Sequence, residues 1–149
     1  MSEPPDPMDG PNHPRILISD RQELPVGEAA LAELAARCLL AEGRGRTELS
    51  VSFVTEDEMS ELHARFMGEE GPTDVLSFPL DDDDDGTEVL GDVVVCPAFA
   101  ARQADDLESE LRLLLVHGIL HLLGHDHEEE EERREMWARQ EAYTGVRVP

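Results

Sequence analysis

The chain has 149 residues, 40% apolar and 32% charged, enough for one domain with a core of its own and too short for two full-sized ones. Its formal charge of −23 comes from 35 acids against 12 bases, all of them Arg, and excludes a protein that grips nucleic acid through a broad basic surface or is drawn to anionic membranes. No stretch approaches the roughly 18 apolar residues of a membrane span and the N-terminus lacks the basic-then-apolar pattern of a secretory leader, so a cytoplasmic protein is expected; Cys38 and Cys96 read as two partly buried thiols rather than a disulfide framework.

Residues 1–14 carry three acids and five of the ten prolines, and read as a disordered tail ahead of a single domain over 15–149. Arg15–Ser19 is a short β-branched strand. Residues 28–42 form a helix with Leu31, Leu34, Cys38 and Leu39 on one side, closed by Gly43. Glu48–Val54 alternates polar and apolar residues and predicts a second strand. Thr55 followed by Glu58 makes a capping box, so a helix runs from there to about Met67 with Met59, Leu62 and Phe66 inward. Thr73–Phe78 and Val89–Val95 predict two more strands. A long helix is expected from about residue 99 toward Gly124 through Leu107, Leu111, Leu114 and Leu115, and a last helix over 128–143. The outcome is an α/β (α+β) domain with a mixed sheet of about four strands packed with helices, in an order the pattern leaves open.

The acidity is clustered. The tail, the run Asp81–Asp85 and the run Glu128–Glu132 hold thirteen acids and no base, so the remaining chain carries only −10. The first run reads as a solvated loop and the second as a solvated first helical turn.

Four of the six histidines fall in the eleven residues His117–Gly–Ile–Leu–His121–Leu–Leu–Gly–His125–Asp–His127. His117 and His121, four apart, share a face of a helix, and it is the apolar face that also carries Leu114. Two ligand nitrogens on one zinc ion lie only about 4 Å apart. On an unbroken helix His125 would be about 12 Å along the axis from His117, so a third ligand needs the helix to stop. Gly124 supplies the stop. His127 can then swing back to complete three nitrogens; His125, in the turn, is read as a rim or surface residue and is the alternative third ligand. The spacing His-x3-His-x2-Gly-x2-His matches the zinc-binding stretch of metzincin peptidases, except that their general-base Glu is replaced by Gly118. With a fourth position open to water, such a site is catalytic in type, and the pKa of that water falls to roughly 7.

The same stretch, HGILHLLGHDH, resembles the signature of the YbeY-type rRNA maturation endoribonucleases. Gly71–Pro79 (GPTDVLSFP) resembles the family's central P-T-D/N-V-L-S-F-P block, and Gly91–Val95 its G-D-I/V strand. Together the likeness covers about residues 15–145. The resemblance implies a mixed α/β fold, one zinc ion held by His117, His121 and His127, and a metal-dependent, single-strand-specific endoribonuclease that matures ribosomal RNA, notably the 16S 3′ end, and takes part in ribosome quality control. Many members carry Arg five residues ahead of the block's Pro. Here that position is Met67, and Arg65, two residues upstream on a different helical face, can reach the same cleft only by another route.

Asp126 has two readings: a proton acceptor or orienter of a ligand histidine, and the cap of the last helix, with Glu129 three residues on. Arg65, Thr73 and Ser77 are candidate substrate contacts. His63, Trp137 and Tyr143 read as surface or packing residues. The expected function is a cytoplasmic zinc-dependent endoribonuclease acting on single-stranded and ribosomal RNA, with the ribosome or its proteins as partners and no role for DNA or membrane. Its nucleophile is either water or the substrate's 2′-hydroxyl. The alternatives are another zinc hydrolase such as a metallopeptidase, and a non-catalytic ribosome assembly factor with a structural metal. Imidazole also suits copper, nickel and iron.

Overall fold

The computed structural model describes residues 13–80, 88–125 and 129–146. Most of the expected tail, the run Asp81–Asp85, and Asp126, His127 and Glu128 lie outside the described residues.

Nine elements follow one another: β1 (Arg15–Asp20), α1 (Glu28–Ala41), β2 (Thr47–Phe53), α2 (Glu56–Met67), β3 (Val75–Pro79), β4 (Glu88–Val95), α3 (Pro97–Gln103), α4 (Leu107–Leu122) and α5 (Glu130–Thr144). The strands form one mixed sheet in the order β1-β2-β4-β3. β2 runs parallel to both β1 and β4, and β3 closes one edge antiparallel to β4. β3 ends on Pro79, which an edge strand tolerates because Pro has no N–H to give to a ladder.

The period-two pattern of the strands divides the core between two faces. Leu49, Val51 and Phe53 of β2 and Val93 and Val95 of β4 pack with Leu34, Cys38 and Leu39 of α1, Leu115 and Ile119 of α4 and Met136 of α5. Val54, Leu76, Val94 and Cys96 face the other way and pack with Met59 of α2, with Leu62, Phe78 and Phe99 alongside. So α2 covers one face of the sheet, while α1, α4 and α5 cover the other. A bulge in β4 keeps this sorting in phase: Leu49 pairs with Gly91, not Leu90. Gly91 has φ +147°, and a Cβ there would lie 2.3 Å from the carbonyl oxygen of Phe78. The Gly of the Gly91–Asp92 pair is therefore required by the close approach of β3.

Three expectations are corrected. The single long helix from about residue 99 is two helices, α3 and α4. Ala104 is extended, and Asp106 takes the N-cap of α4 while its carboxylate accepts from the Ser109 hydroxyl at 2.6 Å. This local side-chain bond competes with a continuous helix. The last helix starts at Glu130 with Glu129 as its N-cap, later than the Asp126–Glu129 capping pattern predicts. Phe66 is 56% exposed instead of inward, standing against Phe78 at the margin of the sheet. The Thr55 cap behaves as expected, its hydroxyl accepting from the Glu58 N–H. No helix among the described residues is long and apolar enough to cross a membrane.

Candidate metal centre

Helix α4 seats Leu111, Leu114, Leu115, Gly118 and Ile119 on the sheet and on α1. His117 lies half-buried beside that stripe, and His121 is exposed one turn later. Their rings are parallel to within 6°, with centroids 6.2 Å apart. The Nδ1 of His117 lies 2.8 Å from Oε1 of Gln140, a side chain buried on α5. An amide oxygen only accepts, so Nδ1 carries the proton and Nε2 is the basic nitrogen, the tautomer of a histidine that binds a metal through Nε2.

The helix ends where Gly124 predicted. The N–H groups of Leu123, Gly124 and His125 bond back to the carbonyls of Ile119, His121 and Leu120, and Gly124 sits at φ +99°. The turn is then tied to α1. Nε2 of His125 is 2.9 Å from Oε1 of Glu42, and the same buried carboxylate accepts from Arg139 and from the Tyr143 hydroxyl. His125 is therefore committed to Glu42. Burial pushes the Glu42 carboxyl up, but the bonds from Tyr143 and His125 and the charge of Arg139 bring it below its ordinary value. Burial and the Glu42 carboxylate push Tyr143 up to about 12, and burial pushes the Cys38 thiol up to about 12. Cys38 and Cys96 are both free and buried.

Among the described residues no three side chains of metal-binding type are gathered at one point. His127 and Asp126, the expected third ligand and candidate proton acceptor, lie outside those residues. The described half of the centre fits a divalent ion of zinc type: two imidazoles one turn apart on one helix, one with its tautomer fixed from behind.

Gly118 explains the missing glutamate. A Cβ there would lie 2.7 Å from Val93 Cγ1 and 3.1 Å from Ser77 Oγ. The position that carries the base in metzincins faces the sheet in this fold and has no room for a side chain.

The candidate substrate residues separate. The Ser77 hydroxyl donates to the Gly118 carbonyl at 3.2 Å, beside His117. The Thr73 hydroxyl donates to Asp74 Oδ1 at 3.4 Å, and the same oxygen accepts from the Val75 N–H. Asp74, Glu110, His117 and Gln140 line a cavity of 290 Å³ between β3 and α4. Burial, and the nearby Asp74 charge, raise the Glu110 carboxyl above its ordinary value. Arg65 is not brought to this centre. It lies on α2, on the opposite face of the sheet, with its guanidinium 5.5 Å from the centre of the Phe66 ring. His63 bonds the Gly71 carbonyl and pairs with Glu69, closing the α2–β3 turn instead of facing solvent. Trp137 is partly exposed under Arg133, while Tyr143 packs against the core.

Sequence reasoning missed Gln140 and Glu110. The signal for Gln140 was its place in a buried stripe, Met136–Gln140–Thr144, where a polar side chain needs a partner.

Comparison with known proteins identifies relatives of the chain. A model of the family described as Endoribonuclease YbeY matches residues 17–145. Curated proteins of that name are 53% identical over 127 residues in Frankia casuarinae (75% of this chain, 63% of that protein) and 46% identical over 137 residues in Thermobifida fusca (84% and 88%). A third, from Frankia alni, is 58% identical over 104 residues, and this chain spans 58% of its length. The solution structure of TM1509 from Thermotoga maritima superposes with a TM-score of 0.60 at 34% identity, covering 88% of this chain and 86% of that one. By fold, by motif and by these likenesses, the chain belongs to the endoribonuclease YbeY family.

Proposed function

We propose that this protein is a metal-dependent, single-strand-specific endoribonuclease of the cytoplasm that processes ribosomal RNA, with the 16S 3′ end as its principal target and the ribosome as its working partner. The observation that carries the reading is the pair His117 and His121, one turn apart, with His117 oriented by Gln140. Membership of an endoribonuclease family supports the RNA substrate.

His117, His121 and His127 would hold one zinc ion. When bound, zinc supplies Lewis-acid polarisation of a phosphate oxygen and lowers the pKa of water at the site. The chain's own groups do the rest. Gln140 holds the proton on Nδ1 of His117 and fixes the plane of its ring. Asp74 and Glu110 give the adjoining cavity a carboxyl that keeps its proton more readily than usual, and Asp126 is a candidate proton acceptor.

A side-by-side assay of wild type and His121→Ala on a 16S precursor, with metal content measured, tests this. Loss of cleavage and of metal with the fold intact is expected. Zinc-loaded wild type that leaves single-stranded and ribosomal RNA uncut overturns the reading. Unfolding on metal removal would favour the structural-metal alternative. Proteolysis by the wild type would favour a peptidase, which the closed space at Gly118 argues against.

A further inference from the structure

On the sheet face opposite the histidines, Leu62, Phe66, Phe78 and Val94 line a cavity of 390 Å³ together with Arg21, Ser52 and Asp92. The apolar side is aromatic. Phe66 and Phe78 meet edge to face with centroids 5.3 Å apart, Phe66 is more than half exposed, and Arg65 lies over its ring. The polar side is selective. Arg21 is spent on a two-nitrogen contact with the Glu58 carboxylate, whereas the Asp92 carboxylate makes no hydrogen bond or ion pair among the described residues. An exposed aromatic ring, an unengaged carboxylate and a nearby guanidinium are the three elements that hold an unstacked base: a face for the ring, an acceptor for its edge and a cation for its phosphate.

The single carboxylate narrows the choice of base. It offers two acceptor oxygens side by side. Only guanine presents two parallel N–H donors, N1–H and N2–H, on its Watson–Crick edge; adenine and cytosine present an amino group beside a ring acceptor, which a carboxylate repels. We infer that this cavity is a guanine-binding subsite for single-stranded RNA, with Phe66 stacking on the base, Asp92 accepting from its N1–H and N2–H groups, and Arg65 meeting the flanking phosphate.

The position suits that use. Ser77 and Phe78 are neighbours in the edge strand β3, the first bonded to α4 beside His117 and the second lining the cavity. A strand of RNA passing over the β3 edge therefore meets both. This gives Arg65 a role that its distance from the histidines otherwise denies it. The inference rests on the reading of the protein as an RNA enzyme, but its test needs neither metal nor cleavage.

The test is a titration of the full-length, isotope-labelled chain with GMP, IMP and AMP, followed by amide NMR shifts. GMP should bind on the order of tenfold tighter than AMP, with shifts centred on Phe66, Phe78, Asp92 and Val94. IMP, which lacks the N2 amino group, should fall between. Asp92→Asn should remove the preference for GMP without altering the rest of the spectrum, and Phe66→Ala should weaken all three ligands about tenfold. Equal affinities, shifts centred elsewhere, an unaltered preference in Asp92→Asn, or no nucleotide binding at all overturn the proposal; the last would leave the patch to a protein. A chain that selects GMP here yet cuts no RNA would refute the endonuclease reading and leave the subsite standing.

Discussion

Gln140 on α5 accepts the Nδ1–H of His117 on α4, 23 residues away in sequence, at 2.8 Å. The bond fixes the ring of His117 from behind and leaves Nε2 as its basic nitrogen. Partners of this kind are worth 10–100-fold in metal affinity or activity. Gln140→Ala should therefore lower zinc affinity about tenfold or more, measured by competition with a chromophoric chelator. Gln140→Glu, which keeps an acceptor, should retain most of it. Equal affinities for the wild type and the Ala variant would remove Gln140 from the site.

Gly118 and Val93 make the second prediction. The Cβ of an alanine at 118 would lie 2.7 Å from Val93 Cγ1. Val93 is fully buried and β-branched, so it cannot rotate away cheaply. Helix propensity would gain about 1 kcal/mol from Gly to Ala, but overpacking costs about 1–3 kcal/mol. Gly118→Ala should thus destabilise by ~1 kcal/mol net in chemical denaturation. Adding Val93→Ala opens the space, so the double variant should be more stable than the sum of the two single changes predicts. Strict additivity would show that the two positions do not press on each other.

The two histidines on one helix face were legible because spacing alone decides which residues share a face, and Gly124 as the helix stop was legible because a left-handed turn selects glycine. The sheet content and the capping of α2 were legible for the same local reasons. What set Gln140 behind His117, and Arg65 on the far side of the sheet, was tertiary: the packing of α5 on α4 and the placing of α2 and α4 on opposite faces of the sheet carry no local signature. The break between α3 and α4 was hidden because the apolar spacing through Leu107 and Leu111 resumes in helical register after it. The lone polar Gln140 in a buried stripe was visible, yet its partner could only be found in three dimensions.

Glu42 carries the pH prediction. Its side chain is 7% exposed and accepts from His125, Arg139 and Tyr143. A carboxyl held below its unfolded value contributes stability that is complete above the unfolded pKa and is lost as pH falls through the lower folded one. The ordinary value is 4.5. Glu42→Gln should cost about 1.5–3 kcal/mol at pH 7, the range for hydrogen bonds to a charged group. That difference from wild type should stay constant down to about pH 5 and shrink below it. Paired denaturation curves at pH 7, 5 and 3.5 check this, and a gap that widens in acid would reverse the assigned sign.

The last prediction concerns how RNA is held. Several of the arginines are already matched: Arg21 with Glu58, Arg102 with Glu56, Arg139 with Glu42 and Glu135, and Arg15 near Glu48. Arg65 stands over Phe66 without an ion pair among the described residues. The net charge of −23 repels a polyanion at long range, so few phosphates can be neutralised when RNA binds. Each neutralised phosphate of a single strand contributes about −0.7 to the slope of log K against log salt. With one or two such contacts, binding of a single-stranded oligonucleotide to the wild type should show a slope no steeper than about −1.5. Arg65→Ala should bring the slope closer to zero by about 0.7 while leaving binding detectable. A slope of −4 or steeper in fluorescence-anisotropy titrations would mean that a cationic surface has been overlooked, and that engagement is not confined to the metal centre and its flanking contacts.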